Sequence, residues 1–352
     1  MKKLGFTEKI QNLIPSNISE SELGRITAEH KERYILQSDK GIFNAEITGN
    51  LRFSAETRAD FPAVGDWIQF MPMDEQSAVI IEIFPRYSVL ERQAVGKHAE
   101  IQVIASNIDH AFIVQAVGHD FNLNRLERYL TICYSSGINP IVILNKVDLV
   151  PQSEIHGLVS QIKNRTENVN VIALSCETSD GLDKLKETML PYETYCFMGS
   201  SGVGKSTIIN CLLGNEVIIT QEISSSTNKG QHTTSHRELF ILSNGSIVID
   251  TPGMRELGIT DQKEGIETTF DQIIELAQQC RFGDCTHTNE KDCYVLKALE
   301  SGNLDEDVYE NYQKLKREQE HFSSTIFEKR QRDKEFGKMV KTFKDHKKKY
   351  KL

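Results

Sequence analysis

The sequence predicts an α/β core with a small β-barrel before it and a helical module after it. Three observations predict this. Residues from about 20 to 90 carry short strand-like runs with turn signals and little helical periodicity. From about residue 108 short apolar runs alternate with helical patterns, as in a parallel sheet covered on both faces. After about residue 265 the strand-like runs stop, and a Cys/His cluster and a long charged helical tail follow.

The first unit, residues 1–92, contains RYILQS, GIFNAEIT, the run from Val64 to Phe70, and SAVIIEIF. Short strands at this spacing fit a five-stranded OB-type barrel. Such barrels often bind oligonucleotides, yet a fold alone does not establish a function, and a docking role fits equally well. The first 20 residues show no periodicity and carry no functional reading. The second unit, residues 93–262, contains AFIVQAV, PIVIL, VNVIAL, Tyr195–Met198 and Ser246–Ile249, with helical patterns such as LNRLERYLTICYSSG between them. The third unit is residues 263–352.

Composition sets the outer bounds. The 352 residues are 39% hydrophobic and 26% charged, ordinary for a globular protein. No run approaches the roughly 20 apolar residues that a membrane span needs. The start, MKKLGFTEKIQNLIPSN, has no apolar segment of a secretory signal, so a cytoplasmic protein is expected. Seven cysteines in such a chain are expected to be free or metal-bound, with Cys133, Cys176, Cys196 and Cys211 in the core or loops. A formal charge of −9 argues against nucleic-acid binding over the whole surface. From Lys329 to Leu352, however, basic residues far outnumber Asp333, Glu335 and Asp345. The end KMVKTFKDHKKKYKL reads as an arm for RNA phosphates or as a solvated tail.

Four segments carry chemistry. Gly199, Ser200, Ser201, Gly202, Val203, Gly204, Lys205 and Ser206 match G-x-x-x-x-G-K-[ST], between the strand TYCFM and the helix STIINCLL that Thr207 helps to open. Glycines let backbone N–H groups turn toward phosphate oxygens, and the helix N-terminus adds a favourable field. Lys205 would neutralise phosphate charge and Ser206 would ligate Mg²⁺. The strand of Ile247–Ile249 ends in Asp250-Thr251-Pro252-Gly253, where Asp250 would hold the magnesium shell and the Gly253 N–H would meet the γ-phosphate. Asn145, Lys146, Val147 and Asp148 follow PIVIL. The Asp148 carboxylate can accept from guanine N1–H and N2–H, a donor pair that adenine lacks. Asn145 would bond the base edge, the Lys146 stem would cover the ring, and backbone N–H groups at Ser175 and Cys176 would meet guanine O6.

The order of these segments is rotated. Most guanine-nucleotide switches run from P-loop through threonine and DxxG to NKxD, whereas here NKVD and SCE precede the P-loop. A sheet tolerates this when the old termini are joined and the chain is cut elsewhere. The rotation makes DTPG lead directly into the Cys/His unit. Between P-loop and DTPG, either Thr233 or Thr234 would close on Mg²⁺ and γ-phosphate. Met254 follows the DxxG glycine where a water-orienting glutamine is usual, and His232 is the nearest substitute, with a surface-loop histidine as the alternative. Cys280-x4-Cys285-x-His287-x5-Cys293 supplies a Cys₃His set for one structural zinc.

The motif order, with GSSGVGKSTIIN, GQHTTSHREL, DTPGMRELG and the Cys₃His spacing, resembles the RsgA/YjeQ family of circularly permuted GTPases. The resemblance spans most of the chain. It implies an OB-fold, a permuted GTPase domain and a zinc-binding domain. It implies GTP hydrolysis stimulated by the small ribosomal subunit, contact with 16S rRNA, action in late subunit maturation, and a part for His232 in catalysis. A monomer binding GTP or GDP, with no membrane partner, is expected. A permuted GTPase of the large subunit, or an RNA-binding module with vestigial hydrolysis, are the competing expectations.

Overall fold

A computed structural model of the protein describes residues 1–30, 33–93, 101–166, 169–214, 237–250 and 263–323. His232, Thr233, Thr234, Gly253 and the basic segment from Lys329 lie outside them.

The chain opens with the short helix α1 (Glu8–Gln11), whose Ile10 joins Leu4, Leu23, Trp67 and Phe84 in an apolar cluster. Strands β1 (Leu23–His30), β2 (Arg33–Ser38) and β3 (Gly41–Ile47) form a meander, and the helix α2 (Gly49–Ser54) leads to β4 (Trp67–Pro72) and β5 (Ser77–Ile83). β3 pairs with β5 in parallel, β5 with β4, and β4 with β1, which closes the five strands into the expected barrel. Alternation fills it: in β3 Phe43, Ala45 and Ile47 point inward while Ile42, Asn44 and Glu46 face solvent.

A ribbon of β6 (Val89–Gln93) and β7 (Ile101–Ser106) then leads into the core sheet. β8 (His110–Ala116), β9 (Asn139–Asn145), β10 (Asn170–Leu174) and β11 (Thr194–Met198) are parallel, linked by α3 (Leu123–Ser135), α4 (Gln152–Arg165) and α5 (Leu182–Thr188). Their near-continuous apolar sequences reflect burial on both faces. α6 (Lys205–Leu213) follows β11. β12 (Arg237–Ile241) and β13 (Ile247–Asp250) form a hairpin whose second strand pairs with β11. The last unit holds α7 (Lys263–Thr269), α8 (Asp271–Ala277), α9 (Tyr294–Glu300) and α10 (Glu306–Ser323) around their own apolar cluster, to which the tail's Tyr312 and Leu315 contribute.

One feature of the topology was not expected. β12 pairs with β1 of the barrel, Ala28 opposite Glu238 and Glu29 opposite Arg237. Barrel and core are therefore one continuous 11-stranded sheet. At the junction Arg25 is 1% exposed and donates to the carbonyls of Leu4, Gly65 and Asn107 and to the Thr194 hydroxyl.

Candidate nucleotide and metal sites

The ends of β9, β10, β11 and β13 bring the rotated motifs to one edge of the parallel sheet, the usual ligand edge of such sheets. The loop after β11 needs glycine for two reasons. Gly199 and Gly204 have φ of 142° and 100°, which L side chains avoid. A Cβ on Gly199 would lie 2.4 Å from the Val114 carbonyl oxygen, and one on Gly204 would lie 2.4 Å from Asn145 Nδ2. The loop is thus pressed against β8 on one side and the end of β9 on the other.

Asn145 and Lys146 hold that second side. The Asn145 amide donates to the Val203 carbonyl at 2.8 Å, and Lys146, itself left-handed at φ 61°, donates through Nζ to the Gly202 carbonyl at 2.8 Å. Asn145 is 3% exposed, and its Oδ1 is buried with no hydrogen-bond partner. A buried acceptor of this kind is costly unless something else donates to it. Asp148 accepts from the Ser175 hydroxyl at 2.5 Å, so NKVD and SCE are joined directly. Ser175 is fully buried and also accepts from the Glu177 and Thr178 N–H groups, which shapes the SCE turn. Burial pushes the neighbouring Cys176 thiol up to about 12, with Cys211 and Asp148 adding to the shift, so it stays protonated at neutral pH. Val147 and Val203 are 6% and 1% exposed, so any contact of theirs with a ligand is through backbone.

Lys205 Nζ donates to the carbonyls of Gly199 and Ser200 at 2.9 and 2.5 Å, which sets its ammonium within the loop. Ser206 is half-buried and Thr207 exposed at the start of α6. Asp250 ends β13, beside β11, so a hydroxyl and a carboxylate are offered at the loop's edge. Both are hard oxygen donors of the kind magnesium takes. The structure adds a residue that the sequence did not single out: Arg125 of α3 donates through Nη1 to the Ser200 hydroxyl at 2.7 Å. An arginine in an amphipathic helix gives no local signal of such a contact.

The Cys/His cluster assembles between α8 and α9. Ligand atoms of Cys280, Cys285, His287 and Cys293 all lie within 4.8 Å of one another. Cys280 Sγ is 3.8 Å from Cys293 Sγ and 3.7 Å from His287 Nδ1, and Cys293 Sγ is 3.4 Å from His287 Nδ1. Zinc–ligand bonds of about 2.3 Å to sulfur and 2.0–2.1 Å to nitrogen imply tetrahedral edges of about 3.8 Å for S···S and 3.6 Å for S···N. The donor set therefore fits zinc in both chemistry and spacing. His287 reaches its place through a left-handed backbone, φ 59°, and its carbonyl accepts from Tyr309 of α10 at 2.6 Å.

Comparison with known proteins agrees with this architecture. A family profile described as RsgA GTPase matches residues 83–260. "Small ribosomal subunit biogenesis GTPase RsgA 1" of Bacteroides thetaiotaomicron is 39% identical over 324 residues, 92% of this chain and 90% of that protein. "Small ribosomal subunit biogenesis GTPase RsgA 2" of Lactiplantibacillus plantarum is 42% identical over 316 residues, 90% of this chain and 88% of that protein. Among solved structures, YjeQ from Thermotoga maritima superposes with a TM-score of 0.62 at 23% identity, over 84% of this chain and 96% of that one. YloQ, described as a circularly permuted GTPase, gives 0.61 at 21% identity, over 89% and 100%. At those identities the two structures speak for the fold, while family profile and sequence relatives speak for descent. The chain belongs to the RsgA family of circularly permuted GTPases.

Proposed function

We propose that this GTPase acts in late maturation of the small ribosomal subunit, that the subunit stimulates its hydrolysis of GTP to GDP and phosphate, and that it binds 16S rRNA. The observation that supports the nucleotide part is that Asn145 and Lys146 donate to the Val203 and Gly202 carbonyls, so the two motif segments touch despite their reversed order. The names of the relatives support the ribosomal part.

In this reading Asp148 accepts from guanine N1–H and N2–H, while Asn145 and the Lys146 stem fix the ring. Backbone N–H groups of Gly199–Ser206 and the Lys205 ammonium stabilise phosphate charge, with Thr207 beside them at the helix start. Ser206 and Asp250 would hold magnesium, which when bound shields the charge shared by the β- and γ-phosphates. Thr233 or Thr234 closes over the γ-phosphate together with the Gly253 N–H. His232 orients the water that attacks the γ-phosphorus as the bond to the β-phosphate oxygen breaks. Cys280, Cys285, His287 and Cys293 hold one structural zinc. The chain acts as a cytoplasmic monomer divided at about residues 92 and 262; the barrel strands and the C-terminal helices each have an apolar cluster of their own, while Val64 and Leu90 pack with the core.

The test is phosphate release from GTP with separated ribosomal subunits. Turnover that rises with small subunits and not with large ones supports the reading. Stimulation by large subunits, or by neither, overturns it.

A further inference from the structure

α3 touches the P-loop at one end and the C-terminal unit along the rest of its length. Its start is fixed to the sheet: Asn122 caps the helix by accepting from the Arg125 N–H at 2.8 Å, and Asn122 backbone groups bond both ends of the Gln115 amide on β8. From that anchored turn Arg125 reaches the Ser200 hydroxyl. The Ser200 carbonyl in turn accepts from Lys205. Two cations therefore grip one residue of the loop, Arg125 by its side chain and Lys205 by its carbonyl. Among the described residues no carboxylate pairs with Arg125.

One turn on, the same helix meets the last unit. Arg128 makes a two-pronged pair with Glu318 of α10 at 2.5 and 2.7 Å. Glu127, 1% exposed, accepts from Asn311 of α10 at 2.5 Å and from Arg165 of α4 at 2.7 Å. The Thr131 hydroxyl meets that of Thr269 on α7 at 3.0 Å. A Cβ on Gly265 would lie 2.0 Å from Ser135 Oγ and 2.3 Å from the Thr131 carbonyl oxygen, so α7 and α3 are in direct backbone approach.

We propose that Arg125 is a positioning residue for the phosphate-binding loop, and that α3 relays the placement of the C-terminal unit to it. The proposal rests on the assignment of Gly199–Ser206 to nucleotide phosphates. Arg125 holds the Ser200 hydroxyl from outside, and the carbonyl of the same residue seats Lys205. Arg125 lies on the same 13-residue helix one turn before Arg128, so a pivot of α3 about its anchored start changes the reach of Arg125 to Ser200. Binding at the C-terminal unit and GTP binding then share a coupling that acts equally in both directions.

The test uses the full-length protein and a fluorescent GTP analogue, with affinity and single-turnover hydrolysis measured separately. Arg125→Ala and Ser200→Ala should each weaken affinity roughly fivefold to tenfold, the loss of one charge-assisted hydrogen bond, and the double variant should lose no more than either alone. Arg128→Ala should weaken affinity roughly twofold to threefold, and this effect should vanish in the Arg125→Ala background. Melting temperatures of the Arg125→Ala and Ser200→Ala variants should match the wild type, which separates positioning from folding. Lys205→Ala is the control: binding unchanged in that variant would show that the nucleotide assignment itself is wrong. If Lys205→Ala abolishes binding while the Arg125 and Ser200 losses multiply, or Arg125→Ala binds as the wild type, the proposal falls.

Discussion

The core sheet meets its two neighbours in different ways. The barrel is joined through the backbone: β1 pairs with β12, and Arg25 ties carbonyls of the N-terminal segment, the barrel and the core together at one point. A second knot lies beside it, where fully buried Asp66 accepts from Arg86, from the Ala63 N–H and from Ser106 of β7. The C-terminal unit is joined to α3 by helix packing and by side chains, with Glu127 and Asn311 buried and Arg128 and Glu318 part-exposed. Buried backbone pairing cannot be given up piecemeal, because each orphaned N–H or C=O carries its own desolvation cost. The part-exposed Arg128–Glu318 pair exchanges with water at little cost, and among the described residues no strand pairing crosses this seam. The barrel should therefore unfold with the core, and the C-terminal unit should separate from it first.

The largest effect is expected at Arg25. Arg25→Met strands several buried acceptors and should cost about 3–5 kcal/mol in denaturant unfolding, within one cooperative transition. A loss below about 1 kcal/mol, or a barrel that melts alone, would break the comparison. Next comes the metal set. Cys293→Ala, or treatment with a strong chelator, should remove one zinc per chain and melt the helices around it, while β-sheet signal and GTP binding persist. Loss of the core along with the helices would show that the two seams are equally strong.

Arg128→Ala should cost less, about 1 kcal/mol, and less still at high salt, because the pair is part-exposed. The smallest effect concerns Glu127. Burial raises its carboxyl above the ordinary value, against the opposing pull of Arg165 and Asn311. The native state thus holds this proton more tightly than the unfolded chain does. Its contribution to stability is full below the unfolded value and is lost as pH rises through the folded one. Glu127→Gln removes that titration. The stability difference between the variant and the wild type should shift in the variant's favour as pH rises from about 4 to 7, measured as denaturant midpoints at both values. A difference that does not move with pH would place the titration elsewhere.

Much of the fold was legible in the sequence. The runs around RYILQS, GIFNAEIT and SAVIIEIF became β2, β3 and β5, because alternation reports one buried face. β1 was not singled out, since Leu23 and Arg25 are buried outside the barrel and Ile26 within it, so the first four residues of LGRITAEH are all buried and the alternation is lost. Asn145, Asp148 and Ser175 stand together as their motifs imply, yet their hydrogen bonds to one another and to the P-loop were not readable. Cys133 and Cys196 are wholly buried, as expected of core thiols.

What the sequence by itself determined are the features in which residue type and short spacing carry the physics. A P-loop needs glycines at left-handed positions within one turn, and a tetrahedral metal set needs four donors within one loop, so both are written locally. The rotated order of the motifs is equally local, being a matter of sequence position. Only the tertiary structure decided that the barrel continues the core sheet, that Arg25 is buried, and that Arg125 grips Ser200. Those contacts join residues as far apart as the 75 positions between Arg125 and Ser200 and the 208 between Glu29 and Arg237. A charged side chain on a helix or strand has the same local pattern whether water or a distant loop receives it. The partner is chosen by which surfaces the chain packs together.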